Sequence, residues 1–185
     1  MNFRRRHTAK TIDPAQVKTW QEAFFAAGGP ALRLMAEMSE NVPNVSLTLK
    51  NADLRIMFTN SYNVRVSGWR SLDDMLGYTS EELYPPDQAA VYTGRDREVL
   101  ETGVPIVERV YGFVADRSTA LNCVTVRPIE GIDGTRIGTE YVVVENLEPG
   151  QTAKAAAFED INSTQVEAFE NARFEISAIH AFCEY

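Results

Sequence analysis

At Pro43 the spacing of apolar residues changes from helical to extended, and this switch constrains the fold more than any other feature of the chain. Before it, Val17, Trp20, Phe24 and Ala27 recur every three or four residues, as one face of a helix requires. Asp13-Pro14 supplies an N-cap with proline at the first helical position, and Gln16 is placed for a capping box. Gly28-Gly29 stop this helix, Pro30 starts a second, and Ala31, Leu34, Met35 and Met38 give it an apolar stripe of its own. After the switch, Val45, Leu47 and Leu49 alternate with Ser46 and Thr48, which predicts a half-buried strand. Leu54, Ile56 and Phe58 repeat the alternation beyond a turn at Asn51-Ala52-Asp53, so the two runs read as a hairpin.

Helical punctuation returns next. Thr59-Asn60-Ser61 offers cap chemistry to a short helix that holds Tyr62, Val64 and Val66 and ends at Gly68. A second short piece, Leu72 to Leu76, is closed by Gly77, and Thr79-Ser80-Glu81-Glu82 opens a third. Pro85-Pro86 interrupts that one and starts a longer helix to about Thr102, with Ala89, Tyr92, Asp96 and Val99 on one face. Gly103 suits its C-cap, and Pro105 prevents it from resuming. Three runs rich in Val, Ile, Tyr and Phe complete the pattern at 105–113, 119–129 and 137–145, with Asp133-Gly134 as a tight hairpin turn.

Two strands, several short helices, one longer helix and three strands predict an α+β fold: a five-stranded antiparallel sheet with short helices on one face. The chain divides into a tail at 1–12, flanking helices at 13–42, a central domain at 43–146 and a helical segment at 147–185. Phe158, Ile161, Phe169, Ile176 and Ile179 supply the apolar positions of that last segment, too irregularly for a strict heptad.

Composition decides among partners. A net charge of −8 opposes nucleic-acid binding by this module, and the one basic cluster, Arg4-Arg5-Arg6-His7, reads as a solvated tail. No apolar run reaches the roughly 20 residues of a membrane span, and no apolar stretch follows the basic start as in a secretory signal. Two distant cysteines, Cys123 and Cys183, make no disulfide framework, so a cytoplasmic location is expected.

Four stretches, in this order, resemble the PAS domain family: VSLTLKNADLRIMFTN at Val45 to Asn60, LGYTSEELYP at Leu76 to Pro85, RDREVLETGVPIVE at Arg95 to Glu108, and RPIEGIDGTRIGTEYVV at Arg127 to Val143. They cover roughly 43 to 146. Asn51 stands where the family often has Asp, and the glycine usual before Arg55 is missing. The resemblance implies a sensor module of a bacterial signalling or transcription-regulatory protein. In such a module the sheet cups a ligand against its short helices, and the flanking helices carry the signal and dimerise. No output domain follows in this sequence, so a partner protein or a separate output domain is expected, with no direct nucleic-acid contact and no membrane.

The resemblance also tests cofactors. Histidine-ligated haem is not expected, because the long helix has no histidine; His7 and His180 lie in the flanks. A covalent flavin adduct is not expected either, since the short helices carry no cysteine, and Cys123 reads as a small apolar strand residue. No metal-ligand spacing is present. What remains is an unknown small molecule. Tyr62, Trp69 and Tyr92 are candidates to line its cavity, Arg65 and Arg127 to hold an anionic group bidentately, and Asn122 to offer an amide. The reading is a ligand-binding homodimer with no catalytic residues; a ligand-free dimerisation module is the first alternative. The second, an enzyme on an α+β cone, needs a buried strand acid, and Glu108 and Glu140 are expected to face solvent.

Overall fold

The computed structural model describes residues 11–113 and 119–145, so the expectations for 1–10 and for the segment at 147–185 fall outside the described residues. One helix, α1 (Pro14–Ser39), precedes the sheet. Asp13 caps it, its carboxylate accepting from Ala15 N at 2.9 Å. The stop expected at Gly28-Gly29 and the restart at Pro30 are seen as a break within α1: Gly29 leaves helical geometry at φ 74° and ψ −174°, and Pro30 follows. That conformation is essentially reserved for glycine, and Pro30 has no N–H to continue the hydrogen-bond ladder.

Five strands form one antiparallel sheet: β1 (Val45–Asn51), β2 (Ile56–Thr59), β3 (Ile106–Phe113), β4 (Thr119–Glu130) and β5 (Arg136–Glu145). Their order is β2-β1-β5-β4-β3, so the first hairpin pairs with the last strand. In the β1–β2 turn, Asn51 Oδ1 accepts from Asp53 N and Arg55 N. Leu54 takes φ 60° at the position where glycine is usual.

Three helices join the strands: α2 (Ser61–Val66), α3 (Ser80–Leu83) and α4 (Pro86–Thr102), with a 3-10 turn at Leu72–Asp74 between the first two. Asn60, fully buried, is the knot among them. Its Oδ1 accepts from Asn63 N at the start of α2 and from Leu47 N of β1. Its Nδ2 donates to Ser39 O at the end of α1 and to Val45 O. Gly103 ends α4 in the left-handed region. The Arg136 guanidinium donates to the carbonyls of Leu100 and Glu101, where the helix terminus favours a cation.

Alternation along the strands divides the molecule into two cores. On the outer face, Leu47 and Leu49 of β1, Met57 of β2, Ile129 of β4 and Val142 of β5 pack against Phe24, Leu32 and Ala36 of α1. On the inner face, Val124, Val126 and Tyr141 pack with Val99 of α4. Beside them, Ile56, Trp69, Met75, Tyr78, Leu83 and Tyr84 form a cluster with the short helices. The half-buried strand expected for β1 is therefore wrong: β1 is covered on both faces, and Ser46, Thr48 and Lys50 are buried as well as Leu47 and Leu49. The cause is topological, since β1 lies inside the sheet between β2 and β5 with helices on either side.

Candidate ligand-binding site

A charged pair lies at the centre of the inner face. Lys50 reaches it from β1, and Asp96 from the α4 face shared with Ala89 and Val99. The Lys50 ammonium donates to Asp96 Oδ2, and to Ser80 Oγ of α3 at 3.1 Å. Thr139 Oγ1 of β5 donates to Asp96 Oδ1 at 2.8 Å. Both charged side chains are almost wholly removed from solvent. Two strands and two helices thus converge on one ion pair.

Around it runs a chain of aromatic rings, each edge-to-face with the next. Ring centroids lie 6.2 Å apart for Trp69–Tyr84, 5.1 Å for Tyr84–Tyr92 and 5.7 Å for Tyr92–Tyr141. This is the geometry that aromatic quadrupoles favour. The Lys50 ammonium sits 5.6 Å from the Tyr141 ring centre. Arg95 of α4 donates to the Tyr141 hydroxyl at 2.8 Å and to the Glu108 carboxylate of β3. Gln88 Nε2 donates to the Tyr92 hydroxyl at 2.8 Å. Burial pushes the hydroxyls of Tyr84, Tyr92 and Tyr141 above the ordinary phenol range, and for Tyr84 the neighbouring Tyr92 adds to the effect. The rings are therefore neutral at physiological pH.

The six residues singled out from sequence take three locations. Trp69 and Tyr92 join the aromatic chain, and Asn122 lies on the same face of β4 as Val124 and Val126. Asn122 is buried, and its Oδ1 has no hydrogen-bond partner. Tyr62 and Arg65 are on α2, where the exposed Arg65 guanidinium lies 5.0 Å from the Tyr62 ring centre and the Tyr62 hydroxyl donates to Asn44 Oδ1 at 3.4 Å. Arg127 is on the outer face, paired with Glu140 at 2.8 Å. Glu140 is buried, so it does not face solvent as expected. Glu108, half exposed, is tied to Arg95.

Lys50, Asp96, Ser80, Thr139, Tyr84 and Tyr141 went unmarked. One signal was available: Asp96 is the charged member of an otherwise inward α4 face. Among the described residues no group of His, Cys, Asp and Glu could hold a metal ion, and no helix is long and apolar enough to cross a membrane.

Known proteins bear on this geometry. A family model described as PAS fold matches residues 39–145. No curated protein sequence matches the chain. Among solved structures it is similar to VqmA of Vibrio cholerae in a ligand–DNA complex, at 21% identity and a TM-score of 0.53, covering 62% of this chain and 50% of that one. A phage VqmA–DPO complex matches at 14% identity and a TM-score of 0.53, covering 78% of this chain and 59% of that one. The Rhodobacter sphaeroides LOV protein matches at 19% identity and a TM-score of 0.50, covering 70% and 75%. The chain thus spans about half the length of the VqmA structures it resembles.

Proposed function

Because the chain belongs to the PAS-fold family, we propose that it is a sensory module that takes a small molecule between its short helices and the inner face of the sheet. The observation that carries this reading is the buried Lys50–Asp96 pair set beside four aromatic rings. A buried ion pair contributes little net stability compared with apolar packing of the same volume. Buried titratable groups also concentrate where proteins bind and act. The unpartnered, buried Oδ1 of Asn122 supplies an acceptor on the same face. A small, neutral, planar molecule with a hydrogen-bond donor suits such surroundings: rings to stack on and polar atoms to fix its orientation.

The event passes on as a population shift. The molecule stabilises whichever arrangement of the flanking helices it binds more tightly, by the difference of its two affinities. Transcription regulation is the output we infer, through an output domain or a partner protein. VqmA of Vibrio cholerae, which is a dimer and binds a ligand and DNA, supports this reading. The net charge of −8 favours DNA contact outside this module. The module binds rather than catalyses, acts in the cytoplasm and works as a homodimer.

Native mass spectrometry of freshly purified chain tests the reading. A dimer that carries added mass is the expected result, and the added mass then identifies the compound. A bare chain mass, unchanged after incubation with cell extract, would overturn ligand sensing in favour of a ligand-free interaction module.

A further inference from the structure

We propose that the first half of α4, Pro86 to Thr93, is a strap over the interior that swings outward about Gly94 and admits the small molecule. The admission rests on the ligand reading above; the motion stands on α4 itself. Gly94 is the central residue of that helix. Its backbone stays helical, unlike Gly29 and Gly103, which take positive φ. A β-carbon there would meet nothing within 4 Å. Neither conformation nor close packing calls for glycine, and a glycine inside a helix weakens it about fivefold relative to alanine. What glycine supplies at such a place is an easier bend.

The two halves are held differently. Beyond Gly94, polar bonds fasten the helix to the sheet: Asp96 to Lys50 and Thr139, Arg95 to the Tyr141 hydroxyl and Glu108, and the carbonyls of Leu100 and Glu101 to Arg136. Val99 is fully buried beside them. Before Gly94 the inward contacts are apolar and aromatic, with Ala89 in the cluster of the short helices and Tyr92 against Tyr84 and Tyr141. The Tyr92 hydroxyl accepts from Gln88 of the same half, which travels with it. On the outward side Ala90, Val91 and Gly94 are exposed. At its other end the strap joins α3 through Tyr84 and Pro85 in extended conformation, and neither Pro85 nor Pro86 has an N–H to bond back to α3. The segment thus has a joint at each end.

Its movement opens the interior at one place. Tyr92 packs against both inner clusters, the one around Tyr84 and the one around Tyr141. Withdrawing it parts the chain of rings between those two tyrosines, while the Lys50–Asp96 pair, held from beyond the hinge, stays in place. Segments that must open for a ligand are drawn from the parts of a fold with the fewest fixed contacts.

Thiol labelling of the full chain, carrying Cys123→Ser and Cys183→Ser, reads the motion. Ala89→Cys places a thiol in the strap and Val99→Cys places one beyond the hinge; both positions are buried. Without added ligand, iodoacetamide is expected to label position 89 at least about tenfold faster than position 99. Adding Gly94→Ala should slow labelling at 89 about fivefold, the difference in helix propensity between the two residues. Thr93→Cys, also buried, takes the place of Ala89→Cys if that variant does not fold. Equal rates on the two sides of Gly94 overturn the strap. A faster rate at 89 that Gly94→Ala leaves unchanged overturns the hinge. A chain that labels as expected but gains no mass in native mass spectrometry keeps the strap and loses the ligand reading, and admission with it.

Discussion

Lys50 is the residue whose sequence context misleads most. It lies near the end of a strand whose apolar residues, Val45, Leu47 and Leu49, all point to the other side, so alternation assigns it to solvent. Only the approach of α4 and α3 from that side makes its position interior. Asp96 was legible as an inward polar residue, yet its partner lies 46 positions away and no local pattern joins them. Removing one member of such a pair strands a charge without water. Lys50→Met is therefore expected to cost about 3–5 kcal/mol, and the double replacement Lys50→Met with Asp96→Leu should recover most of it, as urea unfolding of the three chains would record. Glu140 follows the same logic on the opposite face: a carboxylate on a strand reads as exposed until Arg127 on the neighbouring strand is known to face it.

At the scale of elements, the boundaries of strands and helices were largely legible because glycine, proline and cap residues mark them. Asn60 caps α2 through Asn63 N as its position suggested, and Gly103 closes α4. Its bonds to β1 and to the end of α1 were not legible, because they depend on tertiary placement. The break within α1 falls where glycine and proline predict it, with Gly29 out of helical geometry between two helical stretches. What the sequence did not show is its tie to the β4–β5 turn, where Ile132 N donates to Ala27 O at 2.9 Å. A β-carbon at Gly29 would meet Ile132 Cγ2 at 2.9 Å and would also occupy a strained backbone region. Gly29→Ala should thus lose about 1–3 kcal/mol, seen as a lower Tm with an unchanged far-ultraviolet spectrum.

Across the whole molecule, the fold class followed from the order of elements, whereas strand order did not. The β1–β5 pairing joins residues that are about ninety positions apart, as in Leu49 beside Glu140, and alternation is silent on which strands become neighbours. One global property follows from the buried rings. Tyr84, Tyr92 and Tyr141 hold their protons more tightly folded than unfolded, because burial disfavours phenolate. Their raised pKa values leave stability independent of these groups below about pH 10, the unfolded value. Above it the unfolded chain ionises first, so stability falls as pH climbs toward the folded values. Urea midpoints should hold steady up to about pH 9 and decline beyond about pH 10, with the tyrosinate absorbance of these three residues appearing only as the chain unfolds.

The two-faced sheet has an evolutionary corollary. In β5 the odd-numbered Thr139, Tyr141 and Val143 belong to the inner core, while the even-numbered Glu140, Val142 and Val144 belong to the outer one; in β1 the parities are reversed. Substitution can therefore retune what the interior accepts while the surface under α1 drifts on its own course, and the reverse holds too. A single-residue insertion or deletion in either strand cannot do so, because it would exchange the two faces at once. Lineages of this domain are free to diversify by replacing letters within these two strands, but not by changing their length.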